Sequence, residues 1–135
     1  MRMSIVVAYI AAALVFLGLD YLWLGVIAKG MYSQALGPWL RETPNMAAAT
    51  IFYLAYVGGI LYFAVQPAWR DGGWQTALLS GALLGLLAYG TYDMTNLAVM
   101  KDWPLKISLI DIAWGTAVTA MAALAGYYAG RLAGQ

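Results

Sequence analysis

Four stretches of this chain, roughly residues 3–27, 45–66, 76–99 and 105–129, are each long and apolar enough to span a lipid bilayer, which takes ~20 mainly apolar residues. In hydrocarbon each backbone N–H and C=O must be satisfied within the protein, so runs this long read as helices. With no polar domain left over, the expected architecture is an all-α integral membrane protein, one four-helix transmembrane bundle covering residues 1–135. Arg2 followed by an apolar run resembles a signal peptide, but the run continues to about Ile27. That exceeds the apolar core of a signal, and the segment reads as a retained first span.

Composition narrows the chemistry. Charged residues make up 10% of the chain and the net charge is +1, so there is no basic field to hold nucleic acid. The chain contains neither Cys nor His. Disulfides, His- or Cys-ligated haem, iron–sulfur clusters, zinc sites built on Cys or His, Cys nucleophiles and Ser-His-Asp triads are thereby excluded. Proton chemistry falls to Asp, Glu42, Tyr and Lys.

The connections have their own signals. Residues 30–42 place Tyr32, Ala35, Leu36, Trp39 and Leu40 at helical spacing, interrupted by Gly37-Pro38. A short interfacial segment anchored by Tyr32 and Trp39 is expected. Thr43-Pro44 reads as the start of the second span, with Thr43 as N-cap. Gly58-Gly59 permits close packing or a bend, and residues 66–75 read as a polar turn flanked by Trp69 and Trp74.

Three acids interrupt the spans: Asp20, Asp93 and Asp111. Each lies about seven residues from the end of its helix, on the order of 10 Å below the surface at 1.5 Å per residue. Because successive spans alternate in direction, the end of the first, the start of the second, the end of the third and the start of the fourth share one membrane face. The three carboxylates then lie at one level, with Thr50 and Tyr53 beside them. Ala77, Gly81, Gly85, Tyr89 and Asp93 follow one another at a four-residue spacing, and Asp111, Gly115, Thr119, Ala122 and Gly126 form a comparable stripe. Small residues let helices approach closely, so both acids point toward other helices and away from lipid. Orientation is undecided by charge: with the amino terminus counted beside Arg2, Arg70 and Arg131, that face balances Lys29, Arg41, Lys101 and Lys106.

The motifs DYLWLG at 20–25 and YGTYDMTNLAVMKDWPLKISLIDIAWGT at 89–116, with the spacing of the spans, resemble a family of small bacterial predicted membrane proteins, domain of unknown function 2177. The matching residues are Asp20, Trp23, Tyr92, Asp93, Thr95, Asn96, Trp103, Pro104, Asp111, Trp114 and Gly115. The resemblance implies a four-helix bundle in a bacterial inner membrane and brings no activity with it.

One buried Asp suits a structural hydrogen bond between helices, worth about 0.6–2 kcal/mol in membranes. Three at one level suit it poorly, since an Asp at a helix centre costs roughly 2.5–3.5 kcal/mol on insertion scales. Close carboxylates share a proton or a cation. Asn96, one turn from Asp93, offers a neutral oxygen to a metal such as sodium, magnesium or calcium, and Asp20, Asp93 and Asp111 would be its acidic ligands. Trp23, Tyr53, Tyr89, Tyr92 and Trp114 are candidate walls of an aromatic pocket; Trp103 reads as an interfacial belt residue. Lys101 and Lys106 lie at the rim. The leading expectation is a small transporter-like or ligand-binding protein handling protons or a cation, working as a homodimer because four helices rarely enclose a full pathway. The alternatives are a membrane enzyme acting on a lipid or isoprenoid substrate, and an accessory subunit of a larger complex. No particular cofactor, substrate or ion is indicated.

Overall fold

A computed structural model describes residues 2–135. Five α-helices follow in order: α1 (Arg2–Leu22), α2 (Lys29–Leu36), α3 (Met46–Ile60), α4 (Gly73–Val99) and α5 (Leu105–Leu132). Wider π-helical turns at Trp23–Ile27, Leu61–Val65 and Ala68–Gly72 and a 3₁₀ turn at Gly37–Trp39 complete the regular structure. There is no strand among the described residues. Three stretches are long and apolar enough to cross a membrane: Arg2–Ile27, Met46–Val99 and Leu105–Leu132.

The middle stretch is 54 residues long, which as one rod would measure roughly 80 Å at 1.5 Å per residue. It folds back instead. Gly73 adopts φ +68°, a conformation glycine reaches at little steric cost, and the first turns of α3 face the last turns of α4 across a cavity. Ala48 and Phe52 of α3 face the same cavity as Tyr92 and Asp93 of α4.

The polar turn expected over 66–75 is therefore not an open loop. Helical structure continues through Gly72 before reversing. Pro67 supplies a physical reason for the π-helical segment before it, Leu61–Val65: it has no N–H to donate and its ring clashes with the preceding turn, which a locally wider helix relieves. Gly58 and Gly59 do not mediate close packing, since a β-carbon at either would meet open space. The start of α3 also differs from expectation. Asn45, not Thr43, is its N-cap, with the side chain accepting from the Ala48 N–H at 3.1 Å. Side-chain capping of a free N–H in the first turn decides the start.

The core forms where small residues let backbones meet. On α4, Ala77, Gly81, Gly85 and Asp93 are buried along one face, against Gly115, Thr119 and Ala123 of α5. A β-carbon on Gly85 would collide with the Gly115 carbonyl oxygen, and one on Gly81 would stand 2.8 Å from the Ala123 β-carbon. On α1 the buried residues are Ser4, Ala8, Ala12, Phe16 and Asp20, another four-residue stripe that ends on an acid. Its first residue reaches the far end of α5, where Ser4 Oγ donates to the Ala133 carbonyl at 3.3 Å. Near that end Trp69 lies across Gly130 and donates to the Tyr127 carbonyl at 3.1 Å. The break between α4 and α5 is a tight turn in which Asp102 takes φ 60°, a left-handed conformation that Asp tolerates better than most residues.

Close α4–α5 contact should make Gly85 intolerant of even one methyl group. Gly85→Ala is expected to destabilise the detergent-solubilised protein by about 1–3 kcal/mol through overpacking. Gly90→Ala, where the added carbon meets nothing, should leave stability unchanged or raise it by up to about 1 kcal/mol. Thermal unfolding of the two variants checks this, and equal melting temperatures would rule out the contact as described.

Candidate functional site

The three stripes deliver their acids to one place. Asp20 from α1, Asp93 from α4 and Asp111 from α5 line a cavity of about 580 Å³, closed further by α2 and the first half of α3. The rest of the wall is apolar and aromatic, and neither Lys nor Arg contributes to it.

Asp20 is well partnered. It is only 7% exposed, and its two oxygens accept from different donors: Tyr53 Oη at 3.1 Å and Trp114 Nε1 at 3.2 Å. Charge-assisted bonds of this kind are what a buried carboxylate requires. Phe16, one turn earlier on α1, packs between the rings of Tyr53 and Tyr56 at 5.7 and 5.4 Å and so holds Tyr53 in place. Tyr56 in turn is fixed by a 2.9 Å hydrogen bond with Thr119.

Asp111 takes one donor, the Tyr32 hydroxyl at 2.8 Å. Trp23 Nε1 donates to the same Tyr32 oxygen at 3.3 Å, and burial pushes the Tyr32 hydroxyl above its usual range, so it remains protonated as a donor. The indole of Trp23 stacks on that of Trp114 at 4.7 Å with 9° between planes. One aromatic pair thus carries both the donor to Asp20 and the support for the donor to Asp111.

Asp93 is different. It is fully buried, and neither carboxylate oxygen has a hydrogen-bond donor. Asp111 is its acidic neighbour on the cavity wall, and two carboxylates hold no hydrogen between them. A proton on the pair supplies the missing donor, and a cation between them supplies the missing charge; burial without either is prohibitive. The main chain here is held firmly by comparison. Trp103 Nε1 donates to Ser108 Oγ at 2.9 Å, and Ser108 Oγ donates to the Asp93 carbonyl at 3.0 Å.

The expected site residues divide into groups. Tyr53, Tyr89 and Tyr92 line the cavity with the three acids. Trp23 and Trp114 stand behind the wall as braces. Asn96, half-buried on the next turn of α4, does not reach the cavity. Thr50 is exposed, on the outer face of α3. Lys101 is exposed in the turn after α4, and Lys106 borders a separate hollow beside Gly30, Met31 and Gln34 of α2. Trp103 is not a belt residue: it is 8% exposed, faces the cavity and meets Tyr92 edge-on at 6.0 Å. Nor do the acids assemble a metal cage. Among the described residues no three acids stand close enough to hold one ion, because Asp20 is turned toward Tyr53 and Trp114.

The spacing around Tyr32 marks an interfacial anchor and not an acid's partner. Phe16 and Phe52 also line the cavity without a polar atom to single them out. The first has a legible signal in the Ser4-Ala8-Ala12-Phe16-Asp20 spacing; the contact from Tyr32 has none, since it depends on how α2 folds back.

Residues 5–128 match the family of predicted membrane proteins called domain of unknown function 2177. The chain belongs to this family. With three stretches fit to cross a bilayer, this DUF2177 member is an integral membrane protein. No curated protein and no solved structure matches it.

The contrast between the acids has a measurable consequence for this DUF2177 chain. Asp20→Asn leaves one oxygen for two donors and turns an amide N–H toward one of them, so a loss of about 1–2 kcal/mol is expected. Asp93→Asn removes an unpartnered carboxylate and offers Asp111 a donor, so stability should hold or rise. Thermal unfolding in detergent at neutral pH compares them; equal losses would show that Asp93 is held by donors as Asp20 is.

Proposed function

We propose that this protein is a small carrier-type, ligand-binding membrane protein whose Asp93–Asp111 pair exchanges a proton or a monovalent cation as the cavity fills and empties. On this reading the chain forms one membrane domain with four crossings, the reversal at Gly73 dividing the long middle stretch into the second and third. Its setting is a bacterial inner membrane. A second copy completes the pathway, since one bundle of this size provides a cavity and not a route through.

The observation that carries the reading is the Asp93 carboxylate, fully buried and without a donor on either oxygen. A purely structural acid would be satisfied, as Asp20 is by Tyr53 and Trp114. Unsatisfied buried polar atoms are uncommon in folded proteins and point to an exchangeable species. Asp93 and Asp111, neighbours on the cavity wall, are two carboxyl groups of the kind that share one proton. A metal-dependent enzyme acting on a lipid or isoprenoid phosphate has less support, since among the described residues the three acids are not close enough to share one ion and neither Lys101 nor Lys106 reaches the cavity.

Infrared spectroscopy of the reconstituted protein provides the direct test. Wild type should show a carboxylic-acid C=O band at neutral pH that Asp93→Asn removes. In proteoliposomes carrying an imposed pH gradient, wild type should dissipate the gradient faster than Asp93→Asn. Absence of the band, or flux no greater than through empty liposomes, would count against proton exchange.

A further inference from the structure

The cavity is larger than an ion site and carries only one sign of charge, which together define its ligand. At about 580 Å³ it falls within the ~300–1,000 Å³ range of small-molecule sites, whereas an oxygen-ligated metal needs its donors within ~2.6 Å. Three acids face it and no base does. An anion would meet uncompensated carboxylates, and a neutral guest would bring no charge to replace a proton leaving the Asp93–Asp111 pair.

The remaining wall is built from rings. Phe16, Phe52, Tyr53, Tyr56, Tyr89 and Tyr92 all contribute to it, and aromatic faces attract a cation most strongly when it is stripped of water. Two of the acids already have donors, Tyr53 and Trp114 on Asp20 and Tyr32 on Asp111. Asp93 has neither oxygen partnered, and both are closed off from solvent; the half-buried Asp111, with a donor on one oxygen only, faces the cavity on the same side, so the charge a guest would neutralise is concentrated there. Phe52 lines the cavity yet is 63% exposed, which leaves the α3 side open to the surroundings, where a lipophilic guest is concentrated.

We propose that the cavity binds a lipophilic organic monocation, a quaternary or protonated ammonium compound or its phosphonium equivalent, with its charge beside the Asp93–Asp111 pair and its apolar groups among the rings. One cation enters as one proton leaves the Asp93–Asp111 pair, so the site's net charge is conserved. This identifies the ligand class for the exchange proposed above and rests on that reading.

The test uses the full-length protein in nanodiscs and radiolabelled tetraphenylphosphonium, a permanent cation, with tetraphenylborate as its anionic counterpart of similar shape. Saturable phosphonium binding is expected, weakening as pH is lowered because protons compete for the same carboxylates, and displaced by benzyltrimethylammonium. Asp93→Asn should weaken it about tenfold or more, a change of about 1.4 kcal/mol per tenfold. Phe52→Leu leaves every acid in place and should weaken it several-fold, while Leu79→Ala on the outer face of α4 should bind as wild type. Borate binding as tightly as phosphonium, or phosphonium binding unaffected by Asp93→Asn in a protein that remains folded, overturns the inference. No phosphonium binding alongside an intact carboxylic-acid infrared band overturns it too, and leaves the proton site standing. Saturable, Asp93-dependent binding with no proton release supports the cation cavity and removes the exchange.

Discussion

A carboxylate moved from water into the middle of a helix bundle loses several kcal/mol of hydration unless the protein replaces it. This molecule accepts that cost at three positions and meets it in three ways. Asp20 is given two donors, Asp111 one, and Asp93 none. The distribution follows from the packing. Asp20 emerges where α1 passes close to both α3 and α5, and each of those helices has a long aromatic side chain with a polar tip to offer. Asp93 emerges on the same cavity wall as Asp111, and no donor reaches either of its oxygens.

The small-residue stripes make this possible. Gly85 on α4 and Gly115 on α5 allow backbone contact so close that no β-carbon fits at Gly85. Tyr89, one turn from Gly85 and one turn short of Asp93, occupies the space that a side chain at Gly115 would take. The glycine contact therefore does two things. It brings the helices of Asp93 and Asp111 together, and it turns an aromatic ring across the helix interface at the edge of the cavity. On the opposite side, α3 buries only Val57 and Ile60 within its own length, so its first half leaves space between itself and α4. The cavity is the volume between one tight helix pair and one loose helix.

The short segment α2 joins the site to the membrane interface. Leu36 packs with Trp103 and Ile107 in a small apolar cluster of its own, and Tyr32 extends from the same helix to Asp111. Trp39 lies over Trp103 at 6.1 Å, and Trp103 is linked through Ser108 to the main chain of Asp93. Hydrogen bonds and apolar contacts thus hold one interfacial segment against two acid-bearing helices, and movement of α2 would reach both acids at once.

The sequence alone determined the helical class and the membrane setting, because the length and apolarity of the runs leave the backbone no other way to satisfy its polar groups. It also determined that Asp93 and Asp111 face other helices, through the four-residue stripes that lead from Gly81 and Gly85 and from Gly115. The same pattern runs from Ser4 to Asp20, so the turning of all three acids toward other helices was legible, with Asp20 and Asp93 buried and Asp111 half-buried. What lay beyond the sequence was everything set by distance between segments. Asn96 and Thr50 have suitable chemistry and suitable depth, yet the rotation of their helices turns them away from the cavity. Trp103, next to a turn, has the local pattern of an interfacial anchor, and only its contact with Ser108 draws it inward. Tyr32 finds Asp111 from 79 positions away. Whether an acid has a donor depends on such contacts, and periodicity within one helix holds no information about which side chain the next helix presents to it.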